Sequence, residues 1–427
     1  MERNDPLYRD FCQILREELR PAMGCTEPIA LAYAGAKGRQ LLGGLPEQIL
    51  VEVSGNIIKN VKSVVVPNTG GLRGIAGAVC AGVVAGDPDK ELEVIAQVSP
   101  QDRQRLHAFM EQVQLQIRPA ASELVFDIQL TLTRGADTAR VRIANHHTNI
   151  VHLSRNDQIL LDLAVTECSE DRLTDRSCLT IERIVDFADA VDIRDVGDLI
   201  LRQVRSNMAI AREGLEGDWG ANIGSVILKH QGQTLQKRAS AYAAAGSDAR
   251  MSGCEMPVII LSGSGNQGIT ASVPVAVVAQ ELGASEEELI RAVVVSDLTT
   301  IHQKTGIGRL SAYCGAISAG CGAGAGIAYL RGGKAHAVAH TVVNAIAILS
   351  GTICDGAKPS CAAKIAAAVD AGLLGYDMYL ENQQFYGGDG IVTKGVDKTV
   401  TNVGRLAREG MKETDKTILQ IMLSDGC

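Results

Sequence analysis

Apolar residues recur at helical spacing from the start of the chain. Leu7, Tyr8, Phe11, Cys12, Leu15 and Leu19 share one face, and Pro21 ends the predicted helix. A second helix is predicted from about Glu27 to Leu42, stopped by Gly43-Gly44. Ile49, Val51 and Val53 alternate like a half-buried strand, and Val64-Val65-Val66 before Pro67 reads as another. Small residues from Gly74 onward predict a helix that ends near Gly86-Asp87-Pro88. Ile128, Leu130 and Leu132 alternate, as do Ala139, Val141 and Ile143. The turn signal Gly135-Ala136-Asp137 between the two runs predicts a hairpin. The polar stretch Thr166–Cys178 (TECSEDRLTDRSC) marks the neighbourhood of a predicted domain boundary. Beyond it helical patterns dominate: Ile181–Ala190, Val196–Glu213, Ile269–Leu282, Glu286–Ser296, and several helices from Cys314 onward. The expected fold is α+β: an N-terminal α/β domain with a small mixed sheet over 1–165, and a larger, mostly α-helical domain over 166–427.

Length and charge narrow the function classes. The chain has 427 residues, enough for two domains with a sizeable core. Its net charge of -8 supplies no basic footprint for nucleic acid and disfavours an anionic membrane surface. With 3% aromatic residues, base stacking is not its business. No window reaches the roughly 18 consecutive apolar residues that span a bilayer. The start, MERNDPLYRDFCQ, carries no basic-then-apolar signal. Together with an odd count of 11 cysteines, this predicts a cytoplasmic protein whose cysteines are thiols or metal ligands rather than disulfides.

Three cysteines sit in glycine-rich contexts. Cys314 lies in SAYCGAISAGCGAGAG, while Cys354 and Cys361 flank a loop in GTICDGAKPSC. Thiolates on such loops suit an iron–sulfur cluster, because backbone N–H groups can hydrogen-bond the sulfurs. Spacing alone favours buried structural thiols over cluster ligands. Cys25, in Gly24-Cys25-Thr26-Glu27-Pro28, stands at the mouth of a helix, with Thr26 able to cap and Pro28 tolerated in the first turn. A helix N-terminus lowers a thiol's pKa, although Glu27 opposes that shift. Gly263-Ser264-Gly265-Asn266-Gln267-Gly268 has the outline of a dinucleotide fingerprint, but its surroundings are helical and no acidic residue follows at the right place. A helix N-terminus holding a carboxylate, aided by Ser264 and Asn266, fits better, and a plain tight turn fits as well. Asn68-Thr69-Gly70-Gly71 is a second candidate for a carboxylate or ammonium group. Lys358, between two of the cysteines, is a further carboxylate candidate, and Arg73 reads as a surface ion-pair residue. Cys321, Cys80 and Cys12 read as packing residues, and His146, His147 and His152 as a solvated strand end. His302 is placed in the same cleft as the cysteines. No phosphate cradle or aromatic frame for pyridoxal phosphate is found.

The chain resembles the L-cysteine desulfidases, distant relatives of the iron–sulfur L-serine dehydratases. The resemblance spans nearly the whole chain. It is carried by RPAMGCTEPIALA (Arg20–Ala32), VSGNIIKNVKSVVVPNTGGLRGIAGA (Val53–Ala78), SGSGNQGITASVPV (Ser262–Val275), CGAISAG from Cys314, and GTICDGAKPSC ending at Cys361. It implies a 4Fe–4S cluster held by Cys314, Cys354 and Cys361, with one iron left open as a Lewis acid. It implies Cys25 as the base that removes the α-proton, and elimination of L-cysteine to hydrogen sulfide, pyruvate and ammonia. Thr26, Asn68, Thr69, Ser264, Asn266 and Lys358 are then the candidate substrate contacts. A homodimer is also implied; in the iron–sulfur serine dehydratases a C-terminal cysteine can occupy the open iron, but Cys427, on its Ser424-Asp425-Gly426 tail, reads as a frayed terminus. Three alternatives stand beside it: L-serine as substrate, a non-catalytic iron–sulfur or thiol redox protein, and a nicotinamide enzyme built on Gly263–Gly268.

Overall fold

The computed structural model describes residues 1–165, 173–308 and 310–424. The N-terminal half runs α1 (Pro6–Glu18), β1 (Pro21–Met23), α2 (Thr26–Leu42), β2 (Gln48–Val53), α3 (Gly55–Val61), α4 (Gly74–Ala85), α5 (Pro100–Gln112), β3 (Gln114–Pro119), β4 (Asp127–Arg134), β5 (Asp137–Ala144), β6 (Ile150–Arg155) and β7 (Gln158–Asp162). The remainder runs α6 (Ile181–Ala190), α7 (Ile193–Glu216), α8 (Ile223–His230), α9 (Leu235–Met251), β8 (Pro257–Ile259), α10 (Gly265–Leu282), α11 (Glu286–Ile307), α12 (Gly315–Leu330), α13 (Ala335–Leu349), α14 (Ser360–Leu380), α15 (Val396–Arg405) and α16 (Lys412–Ser424). The predicted α+β class, with a mixed sheet first and helices after, is what the chain adopts.

Six strands form one sheet in the order β3-β2-β4-β5-β6-β7, with β2 and β3 parallel and the other neighbours antiparallel. Ile128, Leu130 and Leu132 on β4, with Val141 and Ile143 on β5, face the core, as their alternation predicted. They pack under α2, whose other side is covered by α4. The two helices approach so closely that a Cβ at Gly82 would sit 1.8 Å from the carbonyl oxygen of Ala32. In the helical half, α10 and α12 are buried nearly all round, with α11 and α14 packed against α12. One hydrophobic core runs continuously through both halves.

A second, two-stranded ladder is small but decisive. β1 pairs antiparallel with β8, Ala22 opposite Val258, and so ties the segment before α2 to the segment before α10. In the sequence Pro21 reads only as a helix end. A three-residue strand has too short a period to be visible.

Val64–Val66 makes no sheet strand. It meets only its own return, Val66 N–H donating to Leu72 O and Gly74 N–H to Val64 O. The α11 helix runs eleven residues past its predicted end at Ser296, to Ile307. Over 292–301 it is buried on every side, and it carries Asp297, Thr299, Thr300 and Gln303, so it shows no amphipathic stripe. Among the described residues no helix is long and apolar enough to cross a membrane.

Asp297 is fully buried, and the Gln203 amide on α7 donates to its Oδ1 at 3.0 Å. Burial pushes its carboxyl up to about 8, against a smaller pull downward from Gln203. The folded state thus holds a proton that the unfolded chain releases near pH 3.8, so stability falls as pH rises from there through about 8. Asp297→Asn should flatten that slope in thermal melts across the range; an unchanged slope would remove Asp297 as its source.

Candidate active site

Four helix N-termini converge on one cavity of about 100 Å³. Cys25 is the N-cap of α2, Ser264 of α10 and Cys314 of α12, and none of the three makes a side-chain cap bond. Cys361 lies in the first turn of α14. Cys25, Cys314, Cys354 and Cys361 all line this cavity, together with Glu27, Asn60, Arg250, Ser264, Asn266 and Gln267. Helix N-termini present unspent N–H groups and a positive potential, which favours anionic sulfur or carboxylate.

Local backbone pairing sets the cysteines. Tyr313 bridges Ile353, with Cys314 N–H donating to Thr352 O at 3.1 Å and Cys354 N–H donating to Ala312 O at 2.6 Å. This short antiparallel clasp turns Cys314 and Cys354 to the same face. Gly356, in the left-handed region, carries the chain past α3, where any Cβ would lie 2.4 Å from Lys59 O. The chain then enters α14 and delivers Cys361, whose Sγ lies 3.7 Å from Gly356 O. Lys59, buried on α3, donates to Cys354 O at 3.3 Å and pairs with Asp415 of α16. Lys364 braces the same loop through Asp355 and Ile353 O.

The β1–β8 ladder brings Cys25 to this cluster from the other end of the chain. Thr26 Oγ1 donates to Gly263 O at 2.9 Å, pinning α2 to the loop before α10. Cys25 Sγ lies 3.9 Å from Met251 Sδ. The expectation of a lowered thiol pKa fails here. Burial pushes Cys25 up to about 12; the Arg250 guanidinium pulls the other way, and Glu27 and Cys361 add to the rise. Cys314 is likewise pushed up to about 12 by burial, then by Cys354. The four helix ends soften this cost without cancelling it.

Arg250, missed in the sequence, ends α9 and is buried in the cavity wall. Its Nη1 donates to Asn266 Oδ1 at 3.0 Å. Gly265 is glycine for this reason: a Cβ there would stand 2.2 Å from Arg250 Nε. At Gly268 a Cβ would stand 2.0 Å from Ile259 O, so the glycine pattern serves close packing around the cavity. Nothing in the sequence marks Arg250 apart from other arginines; its place in the last turn of α9, where cations are favoured, emerges only with the fold.

Other candidates lie elsewhere. Asn68 donates to Ile95 O, tying its loop to the segment after α4, and Thr69 donates to Val66 O within its own turn; neither lines the cavity. Lys358 pairs with Asp355. His302 lies 2.9 Å from Asp397, outside the cavity. His147 is buried rather than solvated, edge-on to Phe126, because the turn after β5 folds inward. It and Gly263 also line a larger cavity of about 380 Å³ that includes Glu17, Glu18, Arg20 and His146. Cys12, Cys80 and Cys321 are core residues. Cys168 and Cys427 lie outside the described residues.

A family model described as serine dehydratase alpha chain matches residues 89–420. The chain belongs to the serine dehydratase alpha chain family. A lyase is the enzyme class that goes with that family. The family match begins after Cys25, but full-length relatives cover that segment as well. The UPF0597 protein of Desulfitobacterium hafniense is 57% identical over 424 residues, 99% of both chains. Those of Treponema denticola and Lachnoclostridium phytofermentans are 46% and 45% identical, over 98% of this chain each and 98% and 100% of their own.

Burial also dictates thiol reactivity. In metal-free protein at neutral pH, iodoacetamide should label the half-exposed Cys178 and Cys354 well before Cys25. Peptide mass mapping checks the order, and Cys25 reacting first would contradict its burial.

Proposed function

We propose that this member of the serine dehydratase family is a pyridoxal-independent lyase that eliminates the β-substituent of L-cysteine, giving hydrogen sulfide, pyruvate and ammonia. The observation that carries the proposal is the meeting of Cys314, Cys354 and Cys361 with Cys25 at one cavity ringed by helix N-termini. Among the described residues no three His, Cys, Asp or Glu side chains are placed to hold a single metal ion. Three thiols spread around a cavity suit instead a polynuclear group that fills it. Cys314, Cys354 and Cys361 would hold a 4Fe–4S cluster. Bound there, the cluster would supply a Lewis acid at the iron lacking a cysteine, making sulfide a better leaving group.

The chain's own residues do the rest. Cys25 Sγ is the group assigned to the α-proton, and the Arg250 guanidinium favours its thiolate form against burial. Ser264 and Asn266, at the start of α10, orient the substrate beside it. The buried walls exclude water, which protects the enamine product until it leaves. L-Serine is the second reading, favoured by the family's description as serine dehydratase; the same residues would act, with water as the leaving group.

Protein purified without oxygen should carry about four iron and four labile sulfide per chain and release sulfide from L-cysteine. Alanine at Cys314, Cys354 or Cys361 should lower the iron content. Cys25→Ala should keep the iron yet lose turnover by on the order of 10²–10⁴-fold. Undiminished turnover in Cys25→Ala, or full activity without iron, would sink the proposal, and parallel kinetics on L-serine decide the substrate.

A further inference from the structure

Two opposite charges are buried in the wall of the same cavity and do not pair with each other. Arg250 is 2% exposed and Glu27 9%. Arg250 donates through Nη1 to Asn266 Oδ1 and lies against the Met251 thioether, its guanidinium also bonds the Cys25 thiol, and among the described residues its Nε has no partner and no carboxylate faces it. Glu27 accepts from one neutral donor, Asn60 Nδ2 at 3.0 Å, while its Oε2 lies 3.1 Å from Thr26 Oγ1, whose one proton goes to Gly263 O. A buried charge without a counter-ion costs several kcal/mol, so a fold that keeps two of them apart retains them for something other than stability.

Their surroundings extend the pattern. The side-chain oxygens of Asn60 and Gln267 line the cavity, are buried and lack a hydrogen-bond donor. Gln267 cannot swing away easily, because Gly315 packs against it: a Cβ there would lie 2.7 Å from Gln267 Nε2. The cavity therefore offers unspent donors on a cation at one point, and unspent acceptors beside a carboxylate at another. Cys25 lies within the electrostatic reach of both charges. That arrangement complements a molecule carrying a carboxylate and an ammonium on one carbon, with that carbon's hydrogen facing Cys25.

We propose that Arg250 holds the α-carboxylate of the substrate, while Glu27, with the Asn60 and Gln267 side-chain oxygens, holds its α-ammonium. This cradle rests on the lyase reading for its substrate, though not for its charges. It also gives Asn266 a narrower role, that of fixing the guanidinium rather than meeting the substrate directly.

The test uses the iron-loaded protein and two thiol probes that each lack one charge: 3-mercaptopropionate, without the ammonium, and cysteamine, without the carboxylate. Binding is measured by calorimetry, independently of turnover. Arg250→Gln should weaken 3-mercaptopropionate on the order of tenfold or more and leave cysteamine within about twofold. Glu27→Gln should do the reverse. Normal affinity for the untouched probe shows that each variant is folded. Should Arg250→Gln fail to fold, Arg250→Lys, which keeps the charge and loses the fork, should show a smaller loss confined to 3-mercaptopropionate. Both probes weakened equally by both variants, or neither weakened, would overturn the cradle. Separate assay of sulfide release keeps the two claims apart. The reciprocal pattern without turnover would leave the cradle standing and end the lyase reading; turnover without the pattern would do the opposite.

Discussion

A thiol moved from water into a protein interior keeps its proton unless nearby charges or dipoles repay its lost hydration. Everything about the cysteine-lined cavity follows from managing that cost. Cys25 and Cys314 cap helices without bonding to them, Cys361 sits one step into a third, and the loop before α10 adds a fourth helix end. The repayment is partial in the protein alone, since burial still dominates at Cys25 and Cys314. A cavity so arranged is suited to an occupant that takes up thiolates directly.

Much of this was legible in the sequence, and the remainder was hidden for identifiable reasons. The β4–β5 hairpin and α1 announced themselves because each buries one face, so their apolar residues keep time with the backbone. The continuation of α11 did not, because the helix is buried all round over 292–301, loses its stripe there, and carries polar residues that imitate an end. The three late cysteines stood out by their glycine-rich settings, and Cys25 by its place before Thr26 and Pro28. Arg250 was invisible: it is one arginine among many until α9 is packed against Gly265 and its guanidinium is enclosed. Asn68 and Thr69 show the opposite error. Their polar side chains looked available but are spent on backbone carbonyls, Thr69 on its own turn and Asn68 on the segment after α4.

The glycine pattern at 263–268 carries a similar lesson. Its glycines are there for close approach, as in a dinucleotide-binding turn, yet what approaches is a guanidinium and a neighbouring carbonyl. The spacing identifies a crowded helix start; the identity of the crowding group comes only from the fold.

The ladder between Pro21–Met23 and Pro257–Ile259 spans most of the chain's length. During synthesis Cys25 leaves the ribosome long before Met251 exists, and longer still before Cys361 completes the set. The newborn polypeptide therefore passes through an interval in which this sulfur is bare to oxidants and stray metals. Its mature shelter needs segments made much later, so premature termination upstream of α9 leaves Cys25 without the Met251 and Arg250 that enclose it.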